Sequence, residues 1–314
     1  MKKIFLFGVL SCLALGVQAK VLRVSNVTGS NAPYTTYADA EAAAAEGDTI
    51  VLEGSNVLYP AMNISKKLVV MGSGYYLVEN GISQVNGQVA TVDGVSISAA
   101  EAKLQSLKVK GVKVTADRVI INRCRVYNES ITLEGNYAVV HQNLFTGAAN
   151  SVRGKNSATV ATNIQITNNI WTSGGLNYNE VLMYLTESYI AYNTCISSIS
   201  SLTPWYRGVS NCVFEGNLLP KQFEAENSIF KNEYYFSDDV DSSPFEGWKT
   251  DADIEAVCGA EENADYVGYG AFAGTDPYVI SGVPAGPVIE DVTMPVSVEQ
   301  GKPLEVNVKV KIQQ

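Results

Sequence analysis

The sequence predicts an all-β solenoid, in which one chain winds through stacked coils of short strands. Three observations predict it. No helical periodicity recurs after one helix-like segment near the start, a six-residue pattern repeats along the chain, and the spacing of the repeats varies while the pattern persists. Coils that share a core string but differ in their loops produce such spacing. We therefore expect one elongated domain.

The repeated string begins with an apolar residue, carries a small, amide or thiol residue at its fourth position, and usually ends on an apolar or aromatic residue. The seven strings occupy 104–109 (LQSLKV), 121–126 (INRCRV), 140–145 (VHQNLF), 166–171 (ITNNIW), 190–195 (IAYNTC), 209–214 (VSNCVF) and 225–230 (AENSIF). Their fourth positions lie 16 to 26 residues apart. The first position has the opposite strand parity to the fourth and sixth, so the chain must bend between them if all three reach a core.

The fourth positions predict a structural ladder inside this bend. Asparagine tolerates left-handed backbone geometry, and asparagines stacked at the ~4.8 Å spacing of adjacent strands can hydrogen-bond one another. The predicted ladder comprises Cys124, Asn143, Asn169, Asn193 and Cys212.

The N-terminal elements lead into the first coil. Val21–Val24 is strand-like, the alanine-rich segment from Tyr37 to Glu46 favours helix, and Thr49–Leu52 is a β-rich run. A helix ending in Gly-Asp-Thr-Ile-Val-Leu, followed by Ile-Ser-Lys-Lys-Leu-Val-Val-Met-Gly-Ser-Gly, resembles the entry to right-handed parallel β-helix proteins of the pectate-lyase-like superfamily. The asparagine positions resemble the ladder of that superfamily. The resemblance covers 21–236 and implies a single-stranded β-helix with a helical N-terminal cap.

The C-terminal part of the sequence differs in composition from the repeats. Residues 236–264 are acidic and turn-rich, and 265–279 is similar to segments that close the last coil in secreted β-helix proteins of Bacteroides-like bacteria. Residues 287–314 supply one or two strands and are too short for an independent sandwich. We therefore expect a β-helix domain over 20–286 and a short C-terminal β tail over 287–314.

Residues 1–19 read as a cleaved signal peptide, because a basic start precedes an apolar stretch and a small-residue cleavage site at 17–19. A lipidated Cys12 is a weaker interpretation, since Leu10 is bulky and the apolar stretch continues beyond the cysteine. We expect a protein that is secreted, periplasmic or on the cell surface.

Composition excludes several classes of protein. Hydrophobic residues make up 46% and charged residues 17%, so wholesale disorder is not expected. Removal of the two lysines in residues 1–19 changes the net charge from −10 to −12, which disfavours nucleic acid as a partner. No second apolar run is long enough for a transmembrane segment. We expect a monomer.

The cysteines are predicted to be buried thiols rather than disulfides. Cys124 and Cys212 share a ladder position four coils apart, and Cys195 is offset from Cys212 by two strand positions. Cys258 stays unassigned. No metal site is expected, because there is no paired-cysteine spacing and one histidine, His141, which should point outward.

Cationic residues supply the candidates for chemistry. Arg153 and Lys155 lie in the longest coil insertion, and no Asp or Glu occurs between Glu134 and Glu180. Arg207 is the third cationic candidate. The resemblance implies that a lyase would use a basic residue to abstract a proton from a uronate, often with Ca²⁺. The strings typical of polygalacturonase-like hydrolases and pectate lyases are missing. Arg123 and Arg125 are interpreted as a solvated outward pair.

Aromatic residues favour a second interpretation. Tyr178, Trp205 and Tyr206 could stack on sugar rings, although most tyrosines of this region are expected to pack on coil edges. The leading hypothesis is an exported, non-catalytic β-helix protein that binds glycan or another surface ligand and needs no cofactor. The alternative is a polysaccharide lyase or glycoside hydrolase that acts on an acidic polysaccharide, and Ca²⁺ belongs to that alternative alone.

Overall fold

A computed structural model describes residues 19–79, 87–146, 151–171, 180–195, 206–219, 222–235, 268–295, 297 and 301–313. These residues form three stacks of parallel strands and one antiparallel hairpin. The predicted all-β parallel β-helix is confirmed. Nearly all of the predicted signal peptide, the acidic stretch and Cys258 lie outside the described residues.

Sheet A contains ten parallel strands that pair in coil order. They are β1 (Val21–Val24), β2 (Thr49–Leu52), β4 (Val69–Met71), β7 (Lys103–Gln105), β10 (Ile120–Asn122), β13 (Val139–His141), β17 (Gln165–Thr167), β20 (Tyr189–Ala191), β23 (Val213–Glu215) and β25 (Ile229–Lys231). The four-residue strands β1 and β2 each point two alternate apolar residues into the core, and the central residue of each later strand points inward.

Sheet B contains eight shorter parallel strands. They are β5 (Thr91–Val92), β8 (Lys108–Val109), β11 (Arg125–Val126), β14 (Leu144–Phe145), β18 (Ile170–Trp171), β21 (Thr194–Cys195), β24 (Leu218–Leu219) and β26 (Tyr234–Tyr235). The second residue of each strand faces the core, where Phe145 stacks on Trp171 with ring centroids 4.7 Å apart.

Sheet C completes each coil. Its strands are β3 (Met62–Ile64), β6 (Val95–Ile97), β9 (Val112–Val114), β12 (Ile131–Leu133), β15 (Val152–Gly154), β16 (Ala161–Thr162), β19 (Leu182–Thr186) and β22 (Tyr206–Ser210). In β3, β6, β9 and β12, the first and third residues point inward and the central residue points outward, because side chains alternate along a strand.

Two columns of left-handed residues bend the coils. Between sheets A and B, φ lies between 52° and 61° at Ser106, Arg123, Gln142, Asn168, Tyr192, Gly216 and Asn232. Between sheets C and A, φ lies between 50° and 60° at Glu101, Arg118, Tyr137, Asn163, Glu187, Asn211 and Asn227. The predicted bend therefore exists, but the left-handed residue is the one before each ladder residue.

The asparagine ladder is present at the A–B bend. Asn143, Asn169 and Asn193 are buried, and the side-chain oxygen of each accepts from the backbone N–H of the ladder residue one coil earlier at 2.9–3.0 Å. Asn193 in turn donates to Asn217 Oδ1 at 2.9 Å, and Asn217 Nδ2 lies 3.1 Å from Glu233 Oε1. The ladder thus continues from asparagine to a carboxyl group.

The placement of Cys212 in this ladder is wrong. The register pairs Phe214 with Ile190, so Asn217 occupies the ladder position, whereas Cys212 lies at the bend before sheet A. Its backbone N–H donates to Ser228 Oγ at 3.0 Å. Both bends combine a left-handed residue with a small hydrogen-bonding neighbour. Because the two bends share this local pattern, the last two predicted strings begin at the bend between sheets C and A and not in sheet A. Cys124 lies at the predicted position, and Cys124, Cys195 and Cys212 are buried free thiols, as predicted.

Helix α1 (Tyr37–Ala43) lies between β1 and β2 in sequence and contacts both. Thr36 Oγ1 accepts from the Asp39 backbone N–H at 3.2 Å, which is an N-cap. Lys66 Nζ donates to the carbonyl oxygens of Glu41 and Ala44 at 2.6 and 2.8 Å and so satisfies the C-terminal end. The helix ends before the predicted Glu46. Its role as the cap of the β-helix stays a prediction.

Residues 268–283, here called the strap, run along the outside of the A–B bend across several coils. Its polar contacts join Gly270 N to Gly216 O, Ala271 N to Thr194 Oγ1, Asn168 Nδ2 to Ala271 O, Gln142 Nε2 to Asp276 Oδ1 and Arg123 Nη1 to Val283 O, at 2.8–3.1 Å. A separate apolar cluster of Tyr75, Leu144, Ile170, Leu218, Ala271 and Tyr278 fills the space beneath it. The strap therefore binds distant coils together.

The C-terminal tail forms an antiparallel hairpin of β27 (Gly286–Thr293) and β28 (Asn307–Gln313). The register shifts between Ile289 and Asp291, which marks an irregularity of the bulge type. Near the end of the strap, before this hairpin, the chain turns through the 3-10 helix Ile280–Gly282.

Candidate functional site

One residue from each of seven strands of sheet C forms a column across the coils, and of these residues only Met183 is buried. Register places them side by side in the order Asn63, Ser96, Lys113, Thr132, Arg153, Met183 and Arg207. Two of the three cations selected from sequence, Arg153 and Arg207, therefore share a column, and Lys113 joins them. Neighbouring strands are ~4.8 Å apart, so the three cations recur on alternate coils at ~9.6 Å.

A carboxylate bridges two lysines beside this column. Glu134 Oε1 lies 3.2 Å from Lys113 Nζ, and Glu134 Oε2 lies 3.1 Å from Lys155 Nζ. Hydrogen bonds from Lys155 and then Lys113 lower the pKa of Glu134, so the bridge is ionised at neutral pH. With Arg153, the cluster contains three cations and one anion. The third sequence candidate, Lys155, is thus brought to the same site.

Tyr184 stands between the two arginines. Arg153 Cζ is 5.9 Å from the centroid of its ring, which is a cation–π distance. A hydrogen bond with Tyr184 and the charge of Glu180 raise the pKa of Arg207, and Arg207 Nη2 lies 2.5 Å from Glu180 Oε1. Glu180 is buried, so this ion pair holds the guanidinium at a fixed point on the face.

The position of Tyr184 depends on local backbone geometry. Tyr184 has φ 55° in the middle of β19, between Met183 and Leu185, which keep their pairing on both sides. Gly208 faces it with φ 61°, and a Cβ there would lie 3.0 Å from Tyr184 Cδ1. Close approach of the ring thus requires glycine. Sequence reasoning did not select Tyr184, and no local signal identifies a left-handed tyrosine inside a strand.

A cavity of about 450 Å³ opens over the earlier coils of the same face. Its walls include Met62, Ser96, Lys113, Glu129, Thr132 and Arg153. Glu129 is engaged with Lys110 at 3.1 Å. The lining offers two cations, the paired carboxylate of Glu129, three hydroxyl groups and several apolar residues, and the two cations could contact the acid group of a sugar.

The aromatic candidates do not assemble there as a group. Tyr178 and Trp205 lie outside the described residues. Tyr206 is half-buried, packs its ring 4.8 Å from that of Phe223, and donates its hydroxyl to the carbonyl oxygen of Glu224. Tyr206 therefore serves packing at the end of sheet C.

The remaining sequence candidates are held by the strap. Arg123 is buried and donates to Gln142 Oε1 at 2.8 Å, which corrects its interpretation as a solvated residue. His141 points outward and bridges Thr167 Oγ1 at 2.7 Å and Asp276 Oδ2 at 3.0 Å. The side chain of Asp276 is 68% exposed and that of His141 only 15%, the reverse of a buried orienting carboxylate, so this pair fastens the strap.

In the part of the chain that the structure describes, no three His, Cys, Asp or Glu side chains converge as metal ligands would. Nor does any described helix have the length and apolar character to cross a membrane.

Comparison of the chain with protein-family models, curated proteins and solved structures found no match.

Proposed function

We propose that the protein is an exported β-helix protein that binds an acidic glycan along the outer face of sheet C, without cleaving it. The observation that carries the proposal is the column in which Lys113, Arg153 and Arg207 recur on alternate coils. An extended polysaccharide that lies across the strands meets one cation for every ~9.6 Å of its length. A linear chain with one acid group per disaccharide presents charge at a comparable interval.

The arrangement around the column favours binding. Arg153 is half-buried and makes no ion pair among the described residues; its guanidinium donates to the carbonyl oxygens of Gly154 and Lys155 at 3.3 and 3.2 Å. These contacts and the ring of Tyr184 orient the guanidinium, so little side-chain entropy remains to be lost on binding.

The family, the origin, the export and the monomeric state of the protein are further parts of this proposal. The parallel sheets and the asparagine ladder support membership of the pectate-lyase-like superfamily. The resemblance of the closing segment supports an origin in Bacteroides-like bacteria. The basic and apolar N-terminal segment supports secretion, and the monomeric state belongs to the same proposal.

Affinity electrophoresis tests the binding. The protein without residues 1–19 migrates through gels that contain polygalacturonate, alginate, a glucuronate-rich polymer or a neutral glucan, with and without Ca²⁺. We expect retardation by at least one acidic polymer, none by the neutral glucan, and weaker retardation at high salt because exposed charges are screened. Retardation that is equal in all gels would refute recognition of acid groups.

Variants locate the site. Arg153→Gln should weaken binding by about tenfold, since one charge-assisted contact is lost. Arg118→Gln is the matched control, because Arg118 also lies over a tyrosine ring, at 5.4 Å from Tyr137, but outside the column. Equal effects of the two variants would contradict the proposed site. Release of unsaturated uronate ends from any polymer, lost in Arg153→Gln, would replace non-catalytic binding by the lyase alternative.

A further inference from the structure

A second pair of cations lies on a different face. On the outer face of sheet B, register places Lys108 directly beside Arg125 on adjacent strands. The later outward positions of this sheet, from Leu144 onward, are covered by the strap and its apolar cluster. Lys108 and Arg125 remain half-buried at the uncovered end.

Neither cation has an acidic partner among the described residues. The ion pairs nearest in sequence belong to Lys110, which lies 3.9 Å from Asp93 and 3.1 Å from Glu129. Burial and then the charge of Arg125 lower the pKa of Lys108, and no carboxylate within the described ranges opposes this shift. Two like charges on strands ~4.8 Å apart repel one another, and an anion between them would relieve that repulsion.

Aromatic rings flank the pair on both sides. Arg125 Cζ lies 4.4 Å from the ring centroid of Tyr76, and Lys108 Nζ lies 5.0 Å from that of Tyr127. Arg125 Nε donates to Thr146 Oγ1 at 3.0 Å, which orients the guanidinium. The tyrosine rings could contact the apolar face of a charged sugar while the two cations bind its acid group.

Backbone strain shows that this geometry is imposed. Tyr76 has φ 50°, a conformation that non-glycine residues adopt at a cost. The strap holds it there: Ser281 Oγ donates to the Tyr76 carbonyl oxygen at 3.3 Å, and Tyr75 N donates to the Ser281 carbonyl oxygen at 2.9 Å. The C-terminal segment thus positions the ring that covers Arg125.

We propose that Lys108 and Arg125, between Tyr76 and Tyr127, form an anion-binding site for a carboxylate or sulfate carried on a sugar ring. The site is distinct from the sheet C column, and it rests on the proposed function only in the expectation that the ligand is a glycan. It would give the protein a second attachment point, so that one molecule could hold two acidic chains.

Nuclear magnetic resonance of the Arg125 Nε–H group tests the site in the full mature chain. The resonance is assigned by its loss in Arg125→Lys. Glucuronate, glucose 6-sulfate, inorganic sulfate and glucose are titrated separately. We expect saturable shifts with both acidic sugars and none with glucose, and about tenfold weaker binding in Lys108→Gln. Tyr127→Leu should weaken the acidic sugars while leaving inorganic sulfate unchanged.

The outcomes separate the two sites. Arg153→Gln should weaken retardation in the gels but leave the Arg125 titration unchanged, so an effect of Arg153→Gln on retardation tests the sheet C column and the titration tests the Arg125 site. Equal binding of inorganic sulfate and the acidic sugars would overturn recognition of a sugar. No shift with any anion, in a protein whose circular dichroism and thermal unfolding match the wild type, would overturn the site.

Discussion

The hydrogen-bonded ladder makes a specific prediction about Asn169, which is fully buried. In Asn169→Ala, four hydrogen bonds disappear. Oδ1 accepts from the backbone N–H and the Nδ2 of Asn143 at 2.9 and 3.0 Å, and Nδ2 donates to Val140 O and Asn193 Oδ1 at 2.9 and 3.0 Å. Asn143 Nδ2 keeps its bond to Ile121 O, whereas the Asn143 backbone N–H loses its partner.

The magnitude follows from these contacts. An unsatisfied buried N–H costs about 1–3 kcal/mol, and each further lost bond costs about 0.5–1 kcal/mol. A small cavity adds to the loss. We therefore expect Asn169→Ala to lower the free energy of unfolding by about 3–5 kcal/mol, which is a large part of the stability of an ordinary domain.

Urea unfolding followed by tryptophan fluorescence measures the loss, since the buried Trp171 lies two residues after Asn169. Hydrogen exchange of the Asn143 amide reports the same bond directly. Gln165→Ala is the control: Gln165 is exposed in the same coil, and its substitution should change stability by less than about 0.5 kcal/mol. A loss below about 1 kcal/mol in Asn169→Ala, with unchanged exchange at Asn143, would refute the ladder as a source of stability.

Three further predictions concern the end of the ladder, the strap and the sheet C face. Burial raises the pKa of Glu233 from 4.5 to about 7, so the free energy of unfolding should fall as pH rises from about 4.5 to about 7. Glu233→Gln should remove this pH dependence and, above pH 7, raise the free energy of unfolding by on the order of 2 kcal/mol. Urea titrations at several pH values measure both effects, and a pH profile that Glu233→Gln leaves unchanged would contradict the burial of this carboxyl group. Burial lowers the pKa of His141 below 6.5, and the charge of Asp276 opposes this shift, so Asp276→Asn should lower the pKa further. The proton resonance of this single histidine measures the pKa, and an unchanged pKa in Asp276→Asn would mean that the contact is absent. Gly208→Ala should cost about 1–2 kcal/mol in urea unfolding, because a Cβ at positive φ meets the Tyr184 ring, and a neutral effect would mean that the ring does not lie there.

The repeat was predictable because it depends on local periodicity. The first five strings align in the structure as they do in the sequence, with Leu104, Ile121, Val140, Ile166 and Ile190 in register. Each begins with a residue that must be buried, and burial imposes the register.

The last two strings were displaced for a physical reason. The coil has two left-handed bends rather than one, and Asn211-Cys212 at the C–A bend imitates the residue types of the A–B bend. Local composition could not distinguish the bends; only the pairing of Phe214 with Ile190 does so.

The candidate site was partly predictable. Arg153, Lys155 and Arg207 follow from their place in the sequence, but their convergence depends on coil lengths that bring β15 and β22 to opposite sides of β19. The contact of Asp276 with His141 joins residues 135 positions apart and depends on where the strap crosses the coils, for which the sequence carries no signal.

A crystal structure with an acidic oligosaccharide from the polymer that retards the protein most strongly tests the central claim most directly. We expect the oligosaccharide to cross the strands of sheet C with its acid groups within hydrogen-bond distance of Lys113, Arg153 or Arg207. An oligosaccharide bound elsewhere, with these three side chains free of contact, would contradict it.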